Sequence, residues 1–441
     1  MAVSPARKAA FEILLAVEKG DSHSDDLLRG KYAAHLSIAD SHLATALVFG
    51  VLRWQIPLDR QIGAFLDRPN ARLDPEIQIA LRLGAFQLFG MTRIPAHAAI
   101  DESVELAKRA GHRFAARMVN AVLRKLAGLA DASSSLFDSP EQAYPAWMVE
   151  RWNKSYGRDA THGICAYGQR EPAATVRLAD AQAEEELLSS GVVLGAGKLL
   201  SAARAIQSGD VTATEAFRSG RVRFQDEGSQ FVAEIAGRGN AILDCCAAPG
   251  GKTLILAERN PDAKIVACDA SPQRLARLRE RLAAFGERIE CRLADAAELA
   301  DAGVYDLVLV DAPCSGTGTL GRNPEIRHRL RLEDLPRQAA RQVAILRAAL
   351  RATRSGGRVV YSTCSLEPEE NEAVVAEVLS SESGVHILSM QERIGAMSSE
   401  GVLTAEGAKH LATCITPEGY LRLLPGRFET DGFFVALFEK N

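Results

Sequence analysis

The sequence predicts an α/β protein: a Rossmann-like domain with a mostly parallel, seven-stranded sheet, preceded by an all-helical domain and a small α+β subdomain. Three observations support this fold class. Helical periodicity runs through residues 4–128, the pattern becomes mixed between 147 and 224, and short apolar runs alternate with helical segments from residue 240 onward. A chain of 441 residues that is 47% hydrophobic and 24% charged is long enough for several domains, each with its own core.

Residues 1–130 form the predicted helical domain. In PARKAAFEILLAVEKG the apolar side chains recur at helical spacing, and LATALVFGVLRW and IQIALRLGAFQLFG repeat the pattern. This segment holds 17 Lys and Arg against 13 Asp and Glu, whereas the whole chain has a formal net charge of -4. A basic first domain ahead of an acidic remainder permits RNA binding without requiring it.

Three further segments follow. Residues 131–146, rich in Ser, Pro and Ala, are predicted to be a linker, and residues 147–224 a small α+β subdomain. Residues 225–441 hold the predicted parallel sheet, because AILDCC, KIVACD, YDLVLVDAP and GRVVYSTC are short apolar runs separated by helical segments. The last run, GFFVALFEK, is expected to add an antiparallel edge strand.

Several protein classes are disfavoured. The first residues mix charged with apolar side chains, unlike a signal peptide, and no run of about 18 apolar residues occurs. We therefore expect a cytoplasmic protein with no membrane partner, and we also expect a monomer. The eight cysteines show neither CxxC pairs nor the Cys and His spacing of zinc sites, so we expect free thiols and no metal.

Polar or reactive side chains follow the predicted strands, at the sheet edge where ligands bind in such folds. They are Asp244, Asp269, Asp295, Asp311 and Cys364. In CAAPGGKT, Gly250 and Gly251 form a strand-to-helix turn where the backbone can approach a ligand closely. Asp269 is placed to bind ribose hydroxyls, and Asp295 to accept from an adenine amino group. Together these residues predict a nucleoside site.

Two other nucleotide-binding motifs do not fit this turn. The phosphate loop GxxxxGK[ST] needs glycine at position 246, which is Cys. The dinucleotide motif GxGxxG is absent from the turn. An ATPase and a nicotinamide-dependent dehydrogenase are therefore disfavoured.

Two cysteines follow neighbouring predicted strands: Cys314 in DAPCSGTG and Cys364 in STCSLEPEENE. A single cysteine is more often a buried structural residue than a reactive one, but two thiols beside Asp311 and a nucleoside site reverse that expectation. The chemistry that needs this set is methylation of carbon 5 of a pyrimidine. A thiolate adds to carbon 6, a carboxylic acid near N3 stabilises the developing charge, and a base removes the carbon 5 proton. Position alone does not rank the two thiols.

The motifs CAAPGGKT, DAPCSGTG and TCSLEPEEN, in this order, resemble those of the RNA 5-methylcytosine methyltransferases of the NOL/NOP/Sun group. The resemblance covers about residues 222–441 and implies a class I methyltransferase domain that uses S-adenosyl-L-methionine. It implies that Cys364 is the nucleophile and that Cys314 helps to release the product. The cofactor-binding residues it implies are Cys246, Ala247, Ala248, Pro249, Gly250, Gly251, Lys252, Asp269, Asp295 and Asp311.

The N-terminal region resembles a NusB-type RNA-binding domain in LATALVFGVLRW, LRLGAFQLFG, IPAHAAIDESVELAK and VNAVLRKL. That combination is similar to the bacterial Sun-type enzymes, which implies a cytosine of 16S ribosomal RNA as substrate. Two alternatives stay open: a transfer RNA as substrate, and a non-catalytic RNA-binding assembly factor. Intact Asp311, Cys314 and Cys364 argue against the second.

A cluster of arginines follows the Cys314 loop, where a target base would enter. These residues are candidates for contacts with RNA phosphates, although a solvated helix face explains arginines about equally well. The cluster consists of Arg322, Arg327, Arg329, Arg331, Arg337 and Arg341. The segment EPEENEAVVAEVL is predicted to be a structural helix, with Glu367, Glu369 and Glu370 favourably placed near its start.

Overall fold

The computed structural model describes residues 3–20, 23–30, 32, 34–68, 72–130 and 137–441. The described chain divides into two units, one formed by residues 1–171 and 320–329 and the other by residues 172–319 and 330–441. Residues 131–136 of the predicted linker lie outside the described residues. The predicted domain boundaries at 130, 146 and 224 stay predictions. The chain first passes from one unit to the other after Glu171.

The first unit is helical, as the periodicity predicts. Its described helices are α1 (Pro5–Glu18), α2 (Ser24–Arg29), α3 (Ile38–Gly63), α4 (Pro75–Gly90), α5 (Ala96–Arg109), α6 (Ala116–Ala130), α7 (Ala146–Tyr156) and α8 (Arg158–Gly168), with a short helix at Ile326–Arg329. Proline stands in the first turn of α1 and α4, where its missing N–H would lack a helical partner anyway. The apolar stripes of α1, α3, α4 and α6 meet in one core, which includes Phe11, Leu47, Leu81 and Leu123.

Helix α3 is kinked at Trp54, whose backbone has φ -109° and ψ 15°. The cause is Pro57, which has no N–H to donate to the carbonyl of Arg53 one turn earlier. Within the same unit, that free carbonyl accepts a hydrogen bond from Nη1 of Arg327 at 3.3 Å. The proline thus creates an acceptor that a buried arginine uses.

The second unit begins with a four-stranded antiparallel sheet, counted over residues 172–224, all of which are described. Its elements are β1 (Thr175–Leu178), α9 (Ala181–Ser189), β2 (Val193–Ala196), β3 (Ala203–Ser208), α10 (Glu215–Arg218) and β4 (Val222–Phe224), and the strand order is β2-β3-β1-β4. One face of this sheet packs against α9 in a small core that contains Val176, Leu187 and Val222. The mixed α and β pattern predicted for this region is therefore present.

A larger sheet follows. Its elements are α11 (Glu227–Ala236), β5 (Ala241–Asp244), α12 (Gly251–Arg259), β6 (Lys264–Asp269), α13 (Pro272–Leu282), β7 (Ile289–Leu293), β8 (Tyr305–Asp311), α14 (Ile326–Arg329, in the first unit), α15 (Leu335–Ala352), β9 (Thr353–Thr363), α16 (Glu372–Ser381), β10 (Val385–Ile387), α17 (Met390–Ser399), α18 (Ala405–His410), β11 (Leu421–Leu423) and β12 (Phe433–Lys440). Seven strands run in the order β10-β12-β9-β8-β5-β6-β7, and β11 pairs beside β12, in the part of the chain after residue 240 that is described throughout.

Strands β9, β8, β5, β6 and β7 are parallel, which confirms the mostly parallel sheet predicted from sequence. Successive side chains of β8 pack in opposite cores. Leu307 and Leu309 pack in one core, and Val308 and Val310 pack in the other. A strand buried on both faces reads as a continuous apolar run for this reason. The GFFVALFEK run is antiparallel as predicted, but it is no edge strand, because β10 and β11 both pair with it.

Among the described residues, no helix combines the length and apolarity that crossing a membrane requires.

Replacing Gly50 by Ala is expected to lower the stability of the first unit. An added Cβ at Gly50 in α3 would lie 2.0 Å from Cζ of Phe86 in α4, and overpacking of this kind costs about 1–3 kcal/mol. Unfolding in urea is followed by tryptophan fluorescence, which reports on this unit alone because the three tryptophans, Trp54, Trp147 and Trp152, all lie in it.

The matched control is Gly163→Ala in α8. Nothing lies within 4 Å of an added Cβ there, so the better helix propensity of alanine should stabilise the unit by up to about 1 kcal/mol. An unfolding midpoint of Gly50→Ala at or above the wild-type value would contradict the packing described here.

Candidate active site

The parallel strands of the larger sheet end at one edge, and the residues predicted from their positions lie there. Asp244 ends β5, Asp269 ends β6 and Asp311 ends β8. Cys364 directly follows β9, and Asp311 is paired with Ser362 across the β8 and β9 ladder. Strand order reverses between β8 and β5, which is the position where ligands bind in doubly wound folds.

The glycine-rich turn after β5 is shaped by a left-handed residue. Gly250 has φ +97° and precedes α12, which begins at Gly251. A Cβ at Gly250 would in addition lie 2.8 Å from Leu278 in α13, so both conformation and space favour glycine. The turn therefore brings the backbone of Cys246–Lys252 close to the strand ends, and cofactor binding by these residues stays a prediction.

A cavity of about 370 Å³ lies outside these strand ends, and three of the predicted carboxylates line it. Asp269 accepts a hydrogen bond from the backbone N–H of Ser271 at 2.9 Å, and Asp295 accepts one from Ala297 at 3.0 Å. Each carboxylate is thus oriented by the backbone two residues later. Cys246, Ala248, Cys314 and Cys364 line the same cavity.

The third carboxylate, Asp311, forms an ion pair. Lys252 Nζ donates to one of its oxygens at 2.7 Å, and the Ser362 hydroxyl donates to the other at 2.9 Å. Burial alone would lower the pKa of Lys252, but the charge of Asp311 and its hydrogen bond raise that pKa above the ordinary value. Lys252 therefore stays an ammonium group, with its Nζ also 5.7 Å from the centre of the Phe433 ring.

The two predicted thiols lie side by side. Cys314 Sγ and Cys364 Sγ are 3.5 Å apart, the distance of an S–H···S hydrogen bond. The hydrogen bond to Cys364, then burial and the nearby negative charges, raise the pKa of the Cys314 thiol well above its ordinary value. Either sulfur can donate this hydrogen bond, and the raised pKa favours the protonated form of Cys314.

A second, smaller cavity of about 130 Å³ adjoins the glycine-rich turn. Asp244 lines it and accepts from the Thr253 hydroxyl at 2.7 Å; burial raises the pKa of Asp244 to about 7, against the effect of that hydrogen bond. The buried Oε1 of Gln225, which also lines this cavity, accepts no hydrogen bond from the described residues. An unused acceptor here suits a ligand that carries an N–H donor.

These acceptors fit S-adenosyl-L-methionine. Its ammonium group, ribose hydroxyls and adenine amino group are donors, and its sulfonium group adds a second positive charge. The two cavities offer carboxylates at Asp269, Asp295 and Asp311 and the unused amide oxygen of Gln225. No cluster of three or more possible metal ligands occurs among the described residues.

The arginines predicted to contact phosphate have different environments. Arg327 is 1% exposed within the first unit, donates to the carbonyls of Gly168 and Leu320, and lies 4.0 Å from the centre of the Tyr144 ring. The prediction of a phosphate contact is wrong for Arg327, because its guanidinium is enclosed. Arg331, Arg337 and Arg341 are exposed in the second unit, and for them it stays a prediction.

Sequence reasoning missed Gln225, with its unused amide oxygen, and three further contributors to this site. Ser362 holds Asp311, and Arg274 lies 3.4 Å from Asp269. Glu370, predicted to be a charge near a helix start, is instead fully buried beside the cysteine loops. Ser362 precedes Cys364 by two residues and lies at the same strand end, so its position in the sequence could have identified it. Glu370 precedes a helix, as many charged residues do, so its position gave no indication of its role.

Comparison with known proteins identifies similar RNA methyltransferases. A family model described as the 16S rRNA methyltransferase RsmB/F matches residues 236–439, and a NusB family model matches residues 4–128. The Bacillus subtilis protein named probable ribosomal RNA small subunit methyltransferase B is 30% identical and aligns over 100% of both chains. Its counterpart from Pseudomonas syringae pathovar tomato is 32% identical over 92% of this chain and 93% of its own.

Solved structures share the fold. The crystal structure of PH0851 aligns with 100% of both chains at a TM-score of 0.79 and 23% identity. A methyltransferase homologue from Pyrococcus horikoshii is 25% identical, with a TM-score of 0.54, and covers 68% of this chain and 96% of its own. The resemblance inferred from sequence motifs is confirmed: the chain belongs to the RsmB/F family of RNA methyltransferases that use S-adenosyl-L-methionine, with a NusB-family domain ahead of the methyltransferase domain.

Proposed function

We propose that the protein methylates carbon 5 of a cytosine in 16S ribosomal RNA, through a transient bond between Cys364 Sγ and carbon 6 of the base. The observation that supports this is the pair of sulfur atoms 3.5 Å apart in the wall of a carboxylate-lined cavity. The names of the similar small-subunit RNA methyltransferases favour 16S RNA as the substrate. The NusB-family domain is the proposed site of further RNA contact.

The cofactor is held by groups that are already oriented. Asp269 and Asp295 bind its nucleoside part, and the turn Cys246–Lys252 approaches it with backbone. The bound cofactor supplies an electrophilic methyl group on a sulfonium sulfur. Two neighbouring cavities allow the cofactor and the target base to reach the same strand ends, provided that the base is turned out of its helix.

Cys364 makes carbon 5 reactive. Its thiolate bonds to carbon 6, and the electron pair of the 5,6 double bond moves into the ring, so that carbon 5 becomes a nucleophile. The negative charge that develops at N3 is neutralised by a proton that passes from Lys252 Nζ to Asp311, 2.7 Å away, and from Asp311 to N3. Lys252 is left as a neutral amine and Asp311 as a carboxylate.

Release restores the thiol pair. After methyl transfer a base removes the proton from carbon 5, the 5,6 double bond re-forms, and the Cys364 thiolate leaves carbon 6. Cys314 carries a proton 3.5 Å from the departing sulfur and can donate a hydrogen bond to it. In this proposal Cys364 is the nucleophile, and Cys314 assists the release of the product.

Cys364→Ala is expected to abolish methylation of the target cytosine, because no other side chain replaces the bond to carbon 6. The measurement is bisulfite sequencing of total RNA from cells that produce either the wild-type protein or the variant. The matched control is Cys291→Ala, a partly buried cysteine of β7 in the same sheet that does not line the cavity. Wild-type methylation by Cys364→Ala would refute the nucleophile assignment, and a modified transfer RNA would refute the substrate.

Cys314→Ala is expected to trap the protein on RNA, because methyl transfer proceeds while departure of Cys364 is slowed. A denaturing gel run during turnover with labelled RNA should show a band of protein bound covalently to RNA. The double variant Cys314→Ala with Cys364→Ala should lack that band. A single variant that turns over without any such band contradicts the release role.

Asp269→Ala is expected to weaken the binding of S-adenosyl-L-methionine by about 10- to 100-fold, the loss that follows when hydrogen bonds to a charged group are removed. Isothermal titration calorimetry measures the dissociation constant. The control is Asp306→Ala, a carboxylate near the opposite end of β8 that binds the backbone N–H of Asn240. Equal affinities for Asp269→Ala and the wild type would remove Asp269 from the cofactor site.

A further inference from the structure

The two cysteine-bearing loops meet at one buried carboxylate. Ser315 follows Cys314, and Ser365 follows Cys364. The hydroxyl groups of both serines donate to Oε2 of Glu370, and the backbone N–H of Ser315 donates to Oε1 at 2.8 Å. The two serine oxygens lie 3.0 Å apart. A single side chain thus contacts the residue next to each sulfur atom.

A fourth donor completes the set. Nε2 of Gln342 in α15 donates to Glu370 Oε1 at 3.0 Å and to the carbonyl of Pro313 at 2.9 Å, so the residue before Cys314 is held as well. A carboxylate has about four acceptor positions, and four donors occupy them here. Glu370 is 0% exposed, and none of the ion pairs found among the described residues includes it.

Packing alone does not explain this glutamate. A buried carboxylate without a counter-charge is expensive even when it is hydrogen-bonded, and a neutral side chain of the same shape would cost less. Groups retained against that cost are expected at functional sites. The charge also has a chemical effect, since it contributes, after the hydrogen bond to Cys364 and burial, to the raised pKa of Cys314.

We propose that Glu370 is a positioning residue: it clamps the two loops so that Cys314 and Cys364 stay within one S–H···S hydrogen bond of each other. The proposal rests on the proposed function, in which Cys364 bonds to carbon 6 and Cys314 assists its departure. Each sulfur is one residue from its clamped serine, so a shift of either serine moves a sulfur by a similar amount. The hydrogen bond between the thiols weakens steeply when they separate.

Two other bonds join the same loops and stay when Glu370 is replaced. Gly318 N–H donates to the carbonyl of Cys364, and Leu366 N–H donates to Oγ1 of Thr317, both at 2.8 Å. Gly318 and Thr317 lie farther along the chain from Cys314 than Ser315 does. We therefore expect loss of the carboxylate to loosen the sulfur pair without unfolding the loops.

The test measures the sulfur pair directly, without RNA or cofactor. Phenylarsine oxide bonds to two neighbouring thiols at once and releases one water, so its affinity reports whether both sulfurs are held together. The signal is the binding that the wild-type protein shows and Cys314→Ala lacks. Glu370→Ala should weaken this binding at least about tenfold, whereas Glu370→Gln, which keeps the size and part of the hydrogen bonding, should stay within about threefold of the wild type.

The matched control is Glu227→Ala. Glu227 is another buried carboxylate of the second unit, and it accepts from the backbone N–H groups of Lys198, Leu199 and Leu200, away from the cysteines. The control should lose stability but keep the arsenical affinity. Wild-type arsenical affinity in folded Glu370→Ala, or an equal loss in Glu227→Ala, would overturn the proposal.

Kinetics then separate this clamp from the chemistry. In Glu370→Ala, kcat for RNA methylation should fall at least about tenfold while the dissociation constant of S-adenosyl-L-methionine stays within about twofold, and Glu370→Gln should recover most of the rate. If Cys364→Ala methylates RNA normally, the proposed function fails. The arsenical result still decides on the clamp, because it requires no turnover.

Discussion

The parallel register of β5, β8 and β9 fixes where chemistry can occur in this protein. Asp244 is paired with Leu309, and Asp311 with Ser362, so a carboxylate, an ion pair and a thiol come to adjacent positions at one edge. A slip of one residue would turn every side chain of β8 to the other face. The two cores prevent this, because Leu307 and Leu309 fill one and Val308 and Val310 the other. Hydrophobic packing on both faces of the sheet therefore sets the geometry of the groups at the cavity.

Two carboxylates at this edge are stabilised in different ways. Asp311 has a cation, Lys252, within 2.7 Å, whereas Glu370 relies on four neutral donors. An ion pair can shift a proton when charge changes beside it, which suits a group that faces the reacting base. A carboxylate held by neutral donors has no such exchange and is better suited to fixing positions. In the proposed mechanism, the same side-chain chemistry thus serves proton transfer at Asp311 and positioning at Glu370.

Much of this site follows from sequence because it depends on strand ends. An apolar run followed by a polar residue identifies the edge of a parallel sheet, so Asp269, Asp311 and Cys364 could be placed from the sequence alone. Their partners could not, since a hydrogen bond across two loops leaves no periodic pattern. Glu370 looks like any acidic residue before a helix. Arg327 looks like a surface charge until the carbonyl freed by Pro57 and the Tyr144 ring are seen around it.

Residues 320–329 give the chain an unusual connectivity. The segment follows the Cys314 loop, yet it belongs to the first unit, where Glu325 accepts from the backbone N–H and hydroxyl of Ser24 and Arg53 donates to the carbonyl of Gly321. The polypeptide thus passes between the units after residues 171, 319 and 329. A single cut in the chain cannot separate the helical unit from the rest, because residues 320–329 of the later sequence belong to it. The helical unit is in this way discontinuous in sequence, and residues 1–171 alone do not make it up.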